Sequence, residues 1–194
     1  MGDIKKQRKK FDKPFHPWQK ARLDTESVVV KEYALKNKKE LWKMQSRLKH
    51  FTSQAKKLTP GLRGETERNL LLSSLRNLGV VSDSATIDDV LNLTLKDILE
   101  KRLQTFVFRK GFSRSMKQAR QFIVHKHVMV GSKVVGVPSY LVLKSEESAI
   151  SFRESSALAS VDHPERVAKT EPKEKKVQPK KEPVKRKPRQ EKKQ

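Results

Sequence analysis

The chain has 194 residues, room for one ordinary domain or two small ones, and sets 45 Lys and Arg against 22 Asp and Glu for a formal net charge of +23. Such an excess points to a polyanionic partner, because each neutralised phosphate releases condensed counterions. The absence of cysteine excludes disulfides, thiolate nucleophiles and Cys-ligated zinc, as expected of a soluble intracellular protein, and no apolar run is long enough to span a membrane.

Residues 1–23 read as a basic N-terminal arm, polar from Met1 to Lys10 and without the pattern of a signal peptide. Pro14 and Pro17 interrupt it, and Phe11, Phe15 and Trp18 lie between the cations. Two roles suit those rings: stacking on unpaired bases, or pinning the arm to the protein's own core.

Residues 24–93 read as a helical body. Asp24 is placed to cap a first helix that reaches about Lys36, and Asn37 with Glu40 makes a capping box for a second. There Leu41, Met44, Leu48, Phe51, Ala55 and Leu58 recur at spacings of three and four and share one face. Lys39, Lys43, Arg47 and Lys57 fall on another, either a solvated face or a stripe for RNA. Thr59-Pro60-Gly61 ends this helix. A third runs from about Glu67 to Leu78 with Gly79 as its terminator, and Thr86 to Leu91 forms a brief helical turn.

Residues 94–153 change character. Thr94 with Asp97 opens a fourth helix, predicted as one continuous element from Leu95 to Lys110 and closed by Gly111. Ser115 with Gln118 is a capping box for a fifth, Met116 to about His125. Its inner face is Ala119, Phe122 and Ile123; Lys117, Arg120 and Gln121 are expected outside. Arg114 stands just ahead of its N-terminus, where backbone N–H groups and the helix dipole favour a phosphate. Valines alternate at 128, 130, 135 and 137 around a Gly131-Ser132 turn, which predicts a hairpin, with Pro138 at an edge or strand start. Tyr140–Leu143 and Ala149–Phe152 read as two more short strands. Residues 154–194, rich in Lys, Glu and Pro, lack the apolar area that would offset the entropy of ordering them and are expected to be disordered.

No nucleophile paired with a base, no metal cluster and no phosphate-cradling glycine loop appears, so the reading is a non-enzyme without cofactor or metal. His125 and His127 form a His-x-His pair better suited to phosphate or base contact than to a metal, since Lys126 flanks it and no carboxylate is near in sequence. The remaining constellation is cationic: Arg102, Arg109, Lys110, Arg114, Lys117, Arg120, His125, Lys126 and Lys133, spread over helix, helix and hairpin. With Lys39, Lys43 and Arg47 it forms the candidate RNA-binding set, on an α+β platform able to read the shape of helical RNA through phosphates and 2′-hydroxyls.

The succession from Leu99 to Tyr140 resembles the alpha-L RNA-binding motif found in a ribosomal protein, some pseudouridine synthases, a bacterial tRNA synthetase and a heat-shock RNA-binding protein. Three segments narrow the likeness: Pro17-Trp18-Gln19-Lys20-Ala21-Arg22-Leu23, Tyr33-Ala34-Leu35-Lys36-Asn37-Lys38-Lys39-Glu40-Leu41-Trp42 and Leu99-Glu100-Lys101-Arg102-Leu103-Gln104-Thr105. Together they resemble the family of small-subunit ribosomal protein four in its archaeal form, over about Phe15 to Phe152. The resemblance implies a structural constituent of the cytoplasmic ribosome that binds small-subunit rRNA and organises a multi-helix junction of its 5′ domain. It also implies small-subunit ribosomal protein five as a neighbour, proximity to mRNA at its entrance, and a part in translational accuracy. The family's motif cations fall on Arg102, Arg114, Lys117, Arg120, His125 and Lys126. Gly131-Ser132 departs from the Asp-Gly or Asn-Gly common at the hairpin turn, and the cysteine-rich zinc site of some bacterial members has no counterpart here.

Two alternatives use the same motif. An RNA-modifying enzyme would need a separate catalytic domain, and nothing after Phe152 could build one. A free RNA chaperone or ribosome-rescue factor would not need the helical body and its family-like segments.

Overall fold

The computed structural model describes residues 9–58, 64–160 and 163–166. Its elements are α1 (Lys20–Glu32), α2 (Lys38–Leu58), α3 (Glu65–Asn77), α4 (Ile87–Leu91), α5 (Leu95–Glu100), α6 (Leu103–Arg109), α7 (Met116–Val124), β1 (Val128–Val130), β2 (Lys133–Val134) and β3 (Ile150–Phe152). Helices therefore dominate, with one antiparallel sheet in the order β2-β1-β3, an α+β architecture. The expected helix stop at residues 59–61 and the tail from residue 167 lie outside the described residues.

The spine of the first half is α2, whose Leu41, Met44, Phe51, Ala55 and Leu58 are buried, with Leu48 packed at the margin. Tyr33 and Leu35 from the turn after α1, Leu71, Leu72 and Leu75 from α3 and Val90 from α4 close over it, with Ile98 and Leu99 from α5. A second core holds Leu103, Val107, Ala119, Phe122, Ile123, Val128, Val130, Val142, Ile150, Phe152 and Leu158. The inner faces predicted for α2 and α7 are thus buried as expected, one in each core, and α4 and α5 open on the Thr86–Asp89 and Thr94–Asp97 capping boxes.

Four local expectations need correction. First, α1 begins at Lys20, not Asp24, and stops at Glu32. Its start is closed by the Arg22 guanidinium, which donates to the carbonyls of His16 (3.0 Å) and Pro17 (2.8 Å). Its end is a Schellman turn: Ala34 takes φ +46° while Leu35 N–H reaches Val30 C=O (3.0 Å).

Second, the fourth helix is two helices. Arg102 adopts an extended backbone (φ −76°, ψ 142°) and bridges to Leu141. Leu103 N–H donates to Tyr140 C=O (2.8 Å), and Val142 N–H donates to Lys101 C=O (3.0 Å). These tertiary bonds replace helical ones, and Thr105 Oγ1 donates to the Leu99 carbonyl at the end of α5 (2.8 Å). The break lies between the two cores: Ile98 and Leu99 serve the first, Leu103 and Val107 the second.

Third, Tyr140–Leu143 is not a strand, because Leu141 meets only the single bridging residue Arg102. β2 is also shorter than predicted, and Val137 lies beyond it, exposed. The hairpin itself stands, with Val130 paired to Lys133 across Gly131-Ser132. Gly131 has φ +59° and Ser132 is not in the positive-φ region, the pattern of a type II′ turn.

Fourth, order continues past Glu154. Leu158 is buried in the second core, and His127 Nδ1 lies 2.8 Å from Ser156 Oγ.

The two cores are tied by charge. Arg102, only 1% exposed, donates Nη2 to Glu40 Oε2 (2.8 Å). Arg120 on α7 grips the same carboxylate through Nη2 to Oε1 (2.6 Å) and Nη1 to Oε2 (3.2 Å). Glu40, read from sequence as half of a capping box, is instead the acceptor for two arginines distant in sequence. Buried Gln104 adds to the joint, donating Nε2 to the carbonyls of Met116 (2.8 Å) and Tyr33 (3.4 Å).

Burial alone would raise the pKa of Glu40, but hydrogen bonds from Arg120 and Arg102, and their charges, hold it below the ordinary carboxylate value. A carboxyl whose pKa is depressed by folding stabilises the fold above its unfolded pKa and loses that contribution as pH falls through the folded value. Glu40→Gln leaves the buried Arg102 charge uncompensated and is predicted to cost about 3 kcal/mol at neutral pH. Urea unfolding at several pH values checks this: the gap between wild type and variant should be constant above the ordinary glutamate pKa, about 4.3, and narrow below it.

Candidate nucleic-acid interface

The local fold sorts the twelve predicted cations into those that the protein uses internally and those it leaves free. Arg102 and Arg120 belong to the first group. The outward face expected for α7 was therefore wrong by one position. Ala119, Phe122 and Ile123 point into the core and Arg120 turns beneath the helix to Glu40, so the exposed stripe is Lys117, Gln121 and Val124. Sequence spacing alone could not separate Lys117 from Arg120, which lie a single turn apart.

Arg109 is exposed and pairs with Glu100 (2.6 Å). Lys110 is exposed too, its ammonium donating to the Glu147 carbonyl. Arg114 stands ahead of α7 as expected, but its guanidinium donates to the Pro164 carbonyl and its N–H to Gln118 Oε1 (2.8 Å). Ser115 Oγ accepts from Gln118 N–H (3.2 Å), so only half of the predicted capping box forms and Gln118 reaches one residue further back.

Lys117, Lys126 and Lys133 are exposed and have no carboxylate at ion-pair distance among the described residues. The same holds for Lys43 and Arg47 on α2, which border a shallow depression with Lys10 and His50. Lys39 lies nearby with its ammonium 5.5 Å from the centre of the Phe11 ring. His125 is exposed, whereas His127 is partly buried, edge-on to Phe122 and held by Ser156. The two histidines thus diverge in role, and among the described residues no group of three metal-ligating side chains comes together.

Lys126 is the least ordinary of the free cations. It occupies the residue after the C-cap of α7 with φ +62°, a left-handed conformation that costs a non-glycine residue about 1 kcal/mol or more. Lys126 N–H bonds to Ile123 C=O (2.9 Å) and His127 N–H to Phe122 C=O (3.0 Å), completing a Schellman motif that holds it there. Its stem runs along Gly136: a Cβ at that glycine would lie 3.5 Å from Lys126 Cγ and 3.9 Å from its Cε. The ammonium is thus carried out from a fixed corner between α7 and the hairpin.

Sequence reasoning missed the residues that position this face. Glu40, Gln104, Thr105 and Gly136 form no charge pattern in the sequence, although all four lie in segments that carried the resemblance.

Comparison with known proteins agrees with that resemblance. Residues 101–148, from the α5–α6 break through the hairpin to the segment before β3, match the S4 domain family. The chain is 49% identical over 165 residues to the small ribosomal subunit protein uS4 of Nanoarchaeum equitans, covering 83% of this chain and 92% of that one. With the uS4 protein of Methanococcus aeolicus it shares 48% over 169 residues, 86% of this chain and 96% of the relative. With that of Picrophilus torridus it shares 45% over 172 residues, 86% and 94% respectively. At that identity, over nearly the whole length of these relatives, the chain belongs to the small ribosomal subunit protein uS4 family.

Proposed function

We propose that this protein is a structural constituent of the small ribosomal subunit that binds small-subunit rRNA through cations left free on α2, along α7 and at the hairpin. The observation that carries this reading is the division of labour among those cations. Arg102 and Arg120 are consumed by Glu40, while Lys117, Lys126 and Lys133 project from one rigid helix–hairpin unit with no carboxylate beside them among the described residues. A monomer gains nothing from placing a lysine in a strained corner with its charge unpaired. A phosphate backbone is the polyanion that rewards it, and contacts to phosphate and 2′-hydroxyl recognise helical shape without reading bases.

On this reading the two cores, held at a fixed angle by Glu40, present two basic surfaces to different helical arms of a junction in the rRNA 5′ domain. Contact with small-subunit ribosomal protein five, a place near the mRNA entrance, a contribution to translational accuracy and a cytoplasmic location are parts of the same proposal, and rest on family membership. So does the non-catalytic role.

Binding to small-subunit rRNA is predicted to fall by about three orders of magnitude between low and moderate salt, if on the order of 6–10 phosphates are neutralised. A filter-binding titration with a nearly flat salt dependence would rule the model out. Two substitutions separate grip from fold. Lys126→Gly should stabilise the free protein by about 1 kcal/mol, by relieving the left-handed strain, and yet weaken rRNA binding. Arg120→Ala should do its damage in thermal unfolding instead, because its hydrogen bonds end on Glu40.

A further inference from the structure

The N-terminal arm carries a second kind of surface. Phe11 stacks near Trp42 with ring centres 6.4 Å apart, and Asp12 N–H donates to Ser46 Oγ (2.9 Å), so the arm is fastened to α2 at its upstream end. Downstream it is fastened by Arg22, which holds the His16 and Pro17 carbonyls with one nitrogen and buried Glu26 with another (2.6 Å). Glu26 in turn accepts from Trp42 Nε1 (3.1 Å). Between these two anchors Phe15 is 91% exposed and Trp18 is 88% exposed. His16 lies between them, its ring edge-on to Phe15 at 4.7 Å.

An arm that only needed pinning would turn these rings inward as it turns the half-buried Phe11 toward Trp42. Instead its backbone is held and its two largest apolar side chains are displayed. The flanking sequence selects the partner: Lys9, Lys10, Lys13 and Lys20 are exposed along residues 9–20, against Asp12 as the acid in the same stretch. An apolar protein surface would have to cover those ammonium groups, whereas a single strand offers phosphates for them and flat bases for the rings. We infer that Phe15 and Trp18 form a preorganised platform on which unpaired RNA bases stack, a contact distinct from the phosphate grip of α7 and the hairpin. The inference rests on the RNA-binding reading and adds to it a single-stranded target for the arm.

The test uses the full chain with two probes, a single-stranded RNA of about a dozen nucleotides and the blunt duplex of the same sequence. Phe15→Ala with Trp18→Ala should lower single-strand affinity roughly tenfold or more, leave duplex affinity within error, and keep the same salt slope. Phe15→Tyr with Trp18→Phe, which preserves two flat rings, should retain most of the affinity. Unchanged single-strand affinity would overturn the inference, and it would do so even if incorporation into subunits fell, since the rings would then meet protein. Equal losses on both probes, or a lowered melting temperature, would also overturn it. Wild-type binding to small-subunit rRNA, measured alongside, keeps the two readings apart: its absence would overturn the RNA-binding proposal itself.

Discussion

One carboxylate holds this molecule in its working shape. Glu40 sits near the start of α2, the spine of the first core, and accepts from Arg102 at the entrance to α6 and from Arg120 on α7, both elements of the second core. Apolar contact between the halves is limited: Leu99 and Leu103, on either side of the α5–α6 break, serve different cores, and Met116 of α7 packs at the margin of the first. A fully buried guanidinium tolerates little freedom, since any movement that lengthens its bond to Glu40 leaves charge without compensation. The joint is therefore stiff as well as attractive. Buried Gln104 reinforces it through the carbonyls of Tyr33 and Met116, one on each side.

Stiffness of this kind gives the remaining positive charge its meaning. Cations on a flexible surface attract any polyanion; cations on two bodies held at a fixed angle favour a polyanion of matching shape. Glu40 fastens elements distant in sequence by means of two arginines, whose planar, multiply donating heads suit a carboxylate, and Glu26 joins Arg22 of its own helix to Trp42 on α2. Exposed lysines occupy the free positions, where a compact, mobile ammonium suits phosphate. Lys126 combines the two themes: its head is free, but its backbone is locked in a conformation that glycine would occupy without strain.

Periodicity and punctuation made much of this legible in the sequence. The α2 stripe, the inner face of α7, the Thr94–Asp97 and Thr86 helix starts and the Gly131-Ser132 turn are local patterns, and local physics decides them. What escaped depends on partners far along the chain. The helix break at Arg102 forms because the backbone at Tyr140–Val142 offers a bridge, and nothing between Leu95 and Lys110 signals it. Arg120 looks as outward as Lys117 until Glu40, eighty residues earlier, is placed beneath it. Glu40 itself fits a capping box locally and becomes a clamp only in three dimensions. The arm's rings part ways in a manner the sequence did not show, with Phe11 turned to Trp42 and Phe15 and Trp18 left to solvent.

On the proposed function, paired cations build the scaffold and unpaired ones meet RNA. Residue-resolved chemical footprinting of the full chain, free and bound to small-subunit rRNA, tests it most directly, with an amine-acylating reagent for lysines and a dicarbonyl for arginines. Lys43, Lys117, Lys126 and Lys133 should react readily in the free protein and be protected by rRNA, while Arg102 and Arg120 stay unreactive in both states. Reactive Arg102 and Arg120 that become protected on binding, with the four lysines indifferent, would contradict it.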